Sequence, residues 1–217
     1  MNSIAPASEL IKTVEEIASL SGDREQFTKR AAEAAGLWGA EAIPQLCSLY
    51  HGDPCPPPQY KEAFPGLGAW LSAKQFAIFE IYFHLGKAAL PELRSVAFGD
   101  YDWIQGNALE ILCRFAAAGI EREEILQDIQ RESPHFRDEA MLYTVAPLIP
   151  YEDSTPGLRE VLTFLRDQAG FSSAYDATRN NDLAHVGFVE EQAALNETSE
   201  IGVSTSHEQN NPWWKLW

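Results

Sequence analysis

The chain has 217 residues, 45% of them hydrophobic, which is enough to bury a real core and excludes disorder throughout. Against 16 basic residues stand 32 acidic ones, for a formal charge of −16 at neutral pH. Such a surface repels nucleic-acid phosphates and anionic membranes, and it speeds encounter with a basic protein. Cys47, Cys55 and Cys113 are odd in number and lack short paired spacing, and Cys47 and Cys113 sit inside apolar helical patterns, so they read as reduced, buried thiols. With no basic leader before an apolar stretch in residues 1–20, and no run approaching roughly 18 uncharged apolar residues, the expectation is a cytoplasmic protein without a membrane span.

Apolar residues recur at three- and four-residue spacing through most of residues 1–170, which predicts an all-α chain. The first helix is expected from Ser8, as N-cap, to about Leu20, with Leu10, Ile11, Val14 and Ile17 on one face. It should break at Ser21-Gly22-Asp23. Further on the chain resembles itself. The run Gly39-Ala40-Glu41-Ala42-Ile43-Pro44-Gln45-Leu46 aligns with Gly86-Lys87-Ala88-Ala89-Leu90-Pro91-Glu92-Leu93, and Gly52-Asp53 with Gly99-Asp100. A glycine that ends one helix and a proline early in the next mark a helix-turn-helix junction. A second pattern, Ile104-Gln105-Gly106-Asn107-Ala108, returns as Phe136-Arg137-Asp138-Glu139-Ala140 and more weakly as Phe27-Thr28-Lys29-Arg30-Ala31. It places a small alanine one turn after a large apolar residue, where a neighbouring helix can approach closely. Asp102 with Gln105, and Ser133 before Pro134, are the expected helix starts.

These residues resemble the HEAT family of helical repeats, whose units pair a proline-bearing A helix with a B helix opening in an apolar-basic pair followed by alanine. The resemblance spans about residues 25–170. It implies an α-solenoid of about four helix pairs, with B helices near 25–36, 71–85, 103–118 and 135–148 and A helices near 40–51, 87–98, 121–131 and 156–168. Thr28 and Gln105 stand where the family carries a basic residue, and the proline-rich segment 51–67 is an insertion. The domain division that follows is 1–170 for the helical repeats and 171–217 for a polar tail. In that tail 182–196 is a short amphipathic segment, and the end carries Trp213, Trp214 and Trp217. The terminal tryptophans are candidates for docking on the solenoid, for contact with a partner, or for self-association.

Signatures of chemistry are sparse. The five histidines lack the histidine or cysteine partners that make two metal ligands on a helix face; His51 and Cys55 are four apart, but the intervening Pro54 makes them a loop pair, and no phosphate loop, nucleophile elbow or dinucleotide fingerprint is present. No cofactor or metal is expected. Asp100 and Asp102 flank Tyr101 and are the candidate pair for a carboxylate hydrolase, the least favoured reading.

HEAT-like arrays curve, and their B helices line a concave face suited to gripping another chain. The forty-seven-residue offset maps Glu33 onto Glu80, and with Glu110 and Glu139 these acids are expected to form a stripe along that face. Tyr82, Tyr143, Trp70 and Trp103 are the candidate aromatic anchors, with Trp103 expected in the core. The loop 52–65 is a further candidate contact. The expected function is a non-catalytic, acidic protein-binding module of the immunity or antitoxin type that neutralises a basic partner. Its alternative is a scaffold or regulatory subunit of an enzyme complex.

Overall fold

A computed structural model describes residues 7–65, 68–168 and 170–180, and among them every regular element is helical. By compactness the described chain divides into two units at Gly99/Asp100.

In the first unit α1 (Ala7–Ser19) buries Leu10, Val14 and Ile17, while Ile11, expected on the same face, is 41% exposed. The break at residues 20–23 is present. Asp23 then caps α2 (Arg24–Trp38), its side chain accepting from the Gln26 N–H at 3.1 Å. Gly39 ends α2 at φ 60°, and Gly86 ends α4 (Ala69–Leu85) at φ 63°. Both values are cheap only for glycine. Short 3-10 turns follow at Ala40–Ala42 and Gly86–Ala89, leading into α3 (Ile43–Cys47) and α5 (Leu90–Ala97), each with proline in its first turn. The two aligned sequence segments therefore adopt the same local structure.

Helix α4 packs against both α1 and α2, and every residue from Ala73 to Tyr82 is buried. A helix apolar on all sides is an interior helix. The polar side chains it carries inward are satisfied locally. Lys74 donates to the Asp53 carbonyl at 2.6 Å, and Gln75 donates to the Tyr50 carbonyl at 2.8 Å, so α4 holds the loop that follows α3. The proline-rich segment folds back onto the same helix. Tyr60 stacks on Trp70 at 5.2 Å, and Phe64 meets it edge-on at 5.0 Å. Trp70 is thereby 1% exposed, so it is a core residue and not a surface anchor.

The second unit comprises α6 (Gln105–Ala117), α7 (Arg122–Glu132), α8 (Asp138–Val145), α9 (Leu158–Arg166) and α10 (Phe171–Arg179). The recurring large-small pairs are buried as expected: Ile104 with Ala108, and Phe136 with Ala140. Helices α6 and α8 make the most intimate contact, around Gly106. A Cβ there would lie 2.3 Å from Tyr143 Cβ and 2.7 Å from the Ala140 carbonyl oxygen. Ser133-Pro134 starts only a 3-10 turn, and α8 begins at Asp138, because Phe136 and Arg137 are extended. Packing also continues past residue 170. Helix α10 lies on α8 and α9, buries Phe171, Ala174 and Tyr175, and sets Phe171 edge-on to Phe136 at 6.1 Å. The polar tail expected from 171 thus opens with a packed helix. With Ala177, four residues spaced at helical intervals seat it, despite the serine- and threonine-rich composition around them.

Candidate functional site

Among the described residues of the second unit, an exposed tryptophan stands at the entrance to α6. In the turn at residues 101–104 the Asp102 carbonyl accepts from the Gln105 N–H at 2.9 Å, and its carboxylate lies 3.5 Å from the Ile104 N–H. Ile104 and Gln105 point inward, at 2% and 4% exposure, and the turn leaves the intervening Trp103 outward at 59%. The expectation that Trp103 belongs to the core is therefore corrected. The turn faces Ile104 and Gln105 into the core, which leaves Trp103, just before them, on the outside.

Helix α8 supplies the other half of the surface. Arg137, the residue before its first turn, lays its guanidinium over the Tyr101 ring at 3.9 Å from the centroid. The Tyr101 and Trp103 rings lie 6.4 Å apart, tilted by 56°. In the first turn of α8 stands Glu139, followed four residues later by Tyr143, and both interact electrostatically with Tyr101. Burial raises the Tyr101 hydroxyl above its ordinary value, the Glu139 carboxylate adds to the shift, and Arg137 opposes it. Burial likewise raises Tyr143, with Tyr101 and Glu139 as further causes. The close α6–α8 crossing at Gly106 fixes Tyr143 in this place. Tyr101, Trp103, Arg137, Glu139 and Tyr143 thus share one surface, with Asp100 exposed beside it. Chemically the patch combines π faces with carboxylates, an arrangement suited to holding a cation.

The residues singled out from sequence fall in different settings. Glu139 and Tyr143 are brought together in this patch. Glu110 is not an open surface acid: its side chain is 13% exposed and pairs with Arg114 at 3.5 Å within α6. Glu33 is exposed on the first unit, with Arg30 at 3.4 Å. Glu80, expected as its groove-lining equivalent, is 2% exposed. Its carboxylate accepts from Thr28 Oγ1 at 3.1 Å and pairs with Arg24 at 3.6 Å. His84 Nε2 is 3.5 Å away, outside hydrogen-bond geometry. Tyr82, expected as an anchor, is completely buried. Both corrections have one cause: α4 is covered by α1 and α2, so no face of its central ten residues is available to a partner. Trp213, Trp214, Trp217 and the segment 182–196 lie outside the described residues.

Tyr82 belongs instead to an internal polar chain that sequence reading missed. Tyr50 Oη is 2.9 Å from Tyr82 Oη and 3.1 Å from Glu92 Oε1, and Cys47 Sγ is 3.4 Å from Tyr82 Oη. Tyr50 has one proton and two acceptors within reach, and a carboxylate is the stronger acceptor. The arrangement that satisfies every group has Tyr50 donating to Glu92, Tyr82 donating to Tyr50, and the Cys47 thiol donating to Tyr82. Burial pushes both phenols and the Cys47 thiol upward, so the cluster holds its protons and acts as a clasp between α3, α4 and α5. Burial also raises the Cys113 thiol, which disfavours the thiolate a nucleophile needs. His51 and Cys55 are exposed, and among the described residues no group of three or more His, Cys, Asp or Glu side chains is arranged to hold a metal ion.

The acids and aromatic rings thus gather on the turn that leads into α6 and on the adjoining face of α8. No family model matches the chain, and neither the curated proteins nor the solved structures give a match to it.

Proposed function

We propose that this chain is a non-catalytic protein-binding module that captures a basic protein, with the Tyr101–Trp103–Tyr143 surface as a principal contact. The observation that carries the reading is Trp103, 59% exposed beside carboxylates in a chain of net charge −16. An exposed tryptophan flanked by tyrosine and charge is the composition of an interface hot spot. The acidic excess supplies the long-range attraction that brings a basic partner to it.

The finer parts of the reading rest on resemblance. Short helices joined through matched Gly–Pro junctions support a HEAT-like stack of about four pairs. Charge, size and helical class together favour an immunity- or antitoxin-type role, in which the chain neutralises a basic toxin in the cytoplasm. In this reading the tryptophan-rich end is a second contact or a self-association segment, and nucleic acids, membranes and cofactors are not ligands.

The test is kinetic. Stopped-flow association with a basic protein should slow by about 10-fold or more when salt rises from about 0.05 to 0.5 M, because screening removes electrostatic steering. An association rate indifferent to salt would contradict the electrostatic reading.

A further inference from the structure

We infer that the α6–α8 surface is an arginine-recognition site whose resting occupant is the chain's own Arg137. The inference rests on the protein-binding reading and names the side chain such a partner must present.

Three observations converge on it. First, a guanidinium is already seated on the surface, since Arg137 lies 3.9 Å above the Tyr101 ring centroid. That distance is well inside the roughly 6 Å within which a cation is attracted to a ring face. Second, the neighbouring indole of Trp103 is 59% exposed and 6.4 Å from Tyr101, so a second planar cation can stack beside the first or take its place. Indole is the best of the aromatic faces for this purpose. Third, the acids next to these rings have the matching charge. Glu139 acts on both Tyr101 and Tyr143, Asp102 acts on Tyr101, and Asp100 is exposed two residues before it.

Arginine is favoured over lysine for a physical reason. A guanidinium is flat, weakly hydrated and able to fork onto a carboxylate while stacking on a ring, whereas an ammonium is a compact, strongly hydrated point charge. Arg137 is exposed and precedes the first turn of α8, so it can leave the Tyr101 face while Phe136 and Ala140 keep the helix seated. It is therefore a competitor in cis, and a partner's arginine gains access by displacing it.

Two probes of equal charge and length separate this inference from the broader one: a hexa-arginine and a hexa-lysine peptide, titrated calorimetrically against the full chain at low salt. The wild type should prefer hexa-arginine. Trp103→Ala should weaken hexa-arginine by about two- to five-fold, the value of one exposed cation–π contact, and leave hexa-lysine nearly unchanged, with Trp103→Phe restoring part of the loss. Arg137→Gln removes a positive charge and so strengthens both peptides. Loss of the competitor should in addition widen the arginine-to-lysine preference by about two-fold or more. Equal binding of the two peptides, unmoved by Trp103→Ala, would overturn the arginine inference while leaving the acidic-capture reading intact. A preference that narrows in Arg137→Gln would overturn the role of Arg137 as competitor. Binding of neither peptide would overturn both readings. Because Trp103 and Arg137 are exposed, unchanged thermal midpoints are expected in all variants.

Discussion

Gly106→Ala should destabilise the chain by about 2 kcal/mol, whereas the same change at Gly36 should stabilise it by up to about 1 kcal/mol. Both glycines sit in helices, where alanine is intrinsically better by about 1 kcal/mol. Surroundings decide the sign. Around Gly36 nothing lies within 4 Å of an added Cβ. At Gly106 that atom would fall 2.3 Å from Tyr143 Cβ and 2.7 Å from the Ala140 carbonyl oxygen. Neither neighbour is the far end of a flexible side chain, so α6 and α8 must separate, and overpacking of this kind costs roughly 3 kcal/mol. The net loss corresponds to a fall in thermal midpoint of about 4–8 °C for a chain of this size. The variant should also weaken partner binding, because Tyr143 moves with the crossing. Denaturant melts of the two variants side by side give the result, and a stable Gly106→Ala protein would refute the close α6–α8 packing.

Alkaline pH should unfold the chain through the Cys47–Tyr82–Tyr50–Glu92 cluster. The ordinary tyrosine value is 10.0, and burial raises both Tyr50 and Tyr82 above it. A group raised in the folded state contributes stability that is intact below its unfolded value and is lost as pH climbs towards its folded one. Above pH 10 the unfolded chain releases these protons and the native chain retains them. Each tyrosine then costs about 1.4 kcal/mol per pH unit. The thiols Cys47 and Cys113, raised from 9.0, bring the onset down to near pH 9. Lys74 works the other way, since burial lowers it from 10.5 and its contribution improves as pH rises to that value. It offsets only part of the loss. Urea midpoints between pH 8 and 11 should fall steeply in the wild type and distinctly less steeply in Tyr50→Phe. Equal slopes would show that the phenol does not hold its proton.

Why parts of this molecule were readable from sequence and others were not comes down to what local pattern encodes. Gly39 and Gly86, each followed by proline five residues later, specify a local backbone event, and both junctions form as expected. The pairs Ile104/Ala108 and Phe136/Ala140 specify one face of one helix, and those faces are buried. Exposure of a whole helix is a tertiary property. The offset that equated Glu33 with Glu80 compared positions along the chain, while α4 is buried from Ala73 to Tyr82 and α2 keeps an open face. Glu80 and Tyr82 were misplaced for that reason. Trp103 departs in the opposite sense: its hydrophobicity favours the core, whereas the Asp102 turn faces Ile104 and Gln105 inward and leaves the indole outside. Arg137 over Tyr101 joins residues 36 positions apart through the α6–α8 crossing, and no local pattern announces it. In the sequence Tyr101 is only the spacer between Asp100 and Asp102. In the structure it is the ring at the centre of the patch.

The most direct test of the account is hydrogen–deuterium exchange of the full chain, free and saturated with a basic protein partner. Binding at the proposed surface predicts slowed exchange in residues 100–104 and in the first two turns of α8, with the protection lost in about 0.5 M salt. A complex that persists in high salt and leaves those two segments exchanging at their free rates would contradict it.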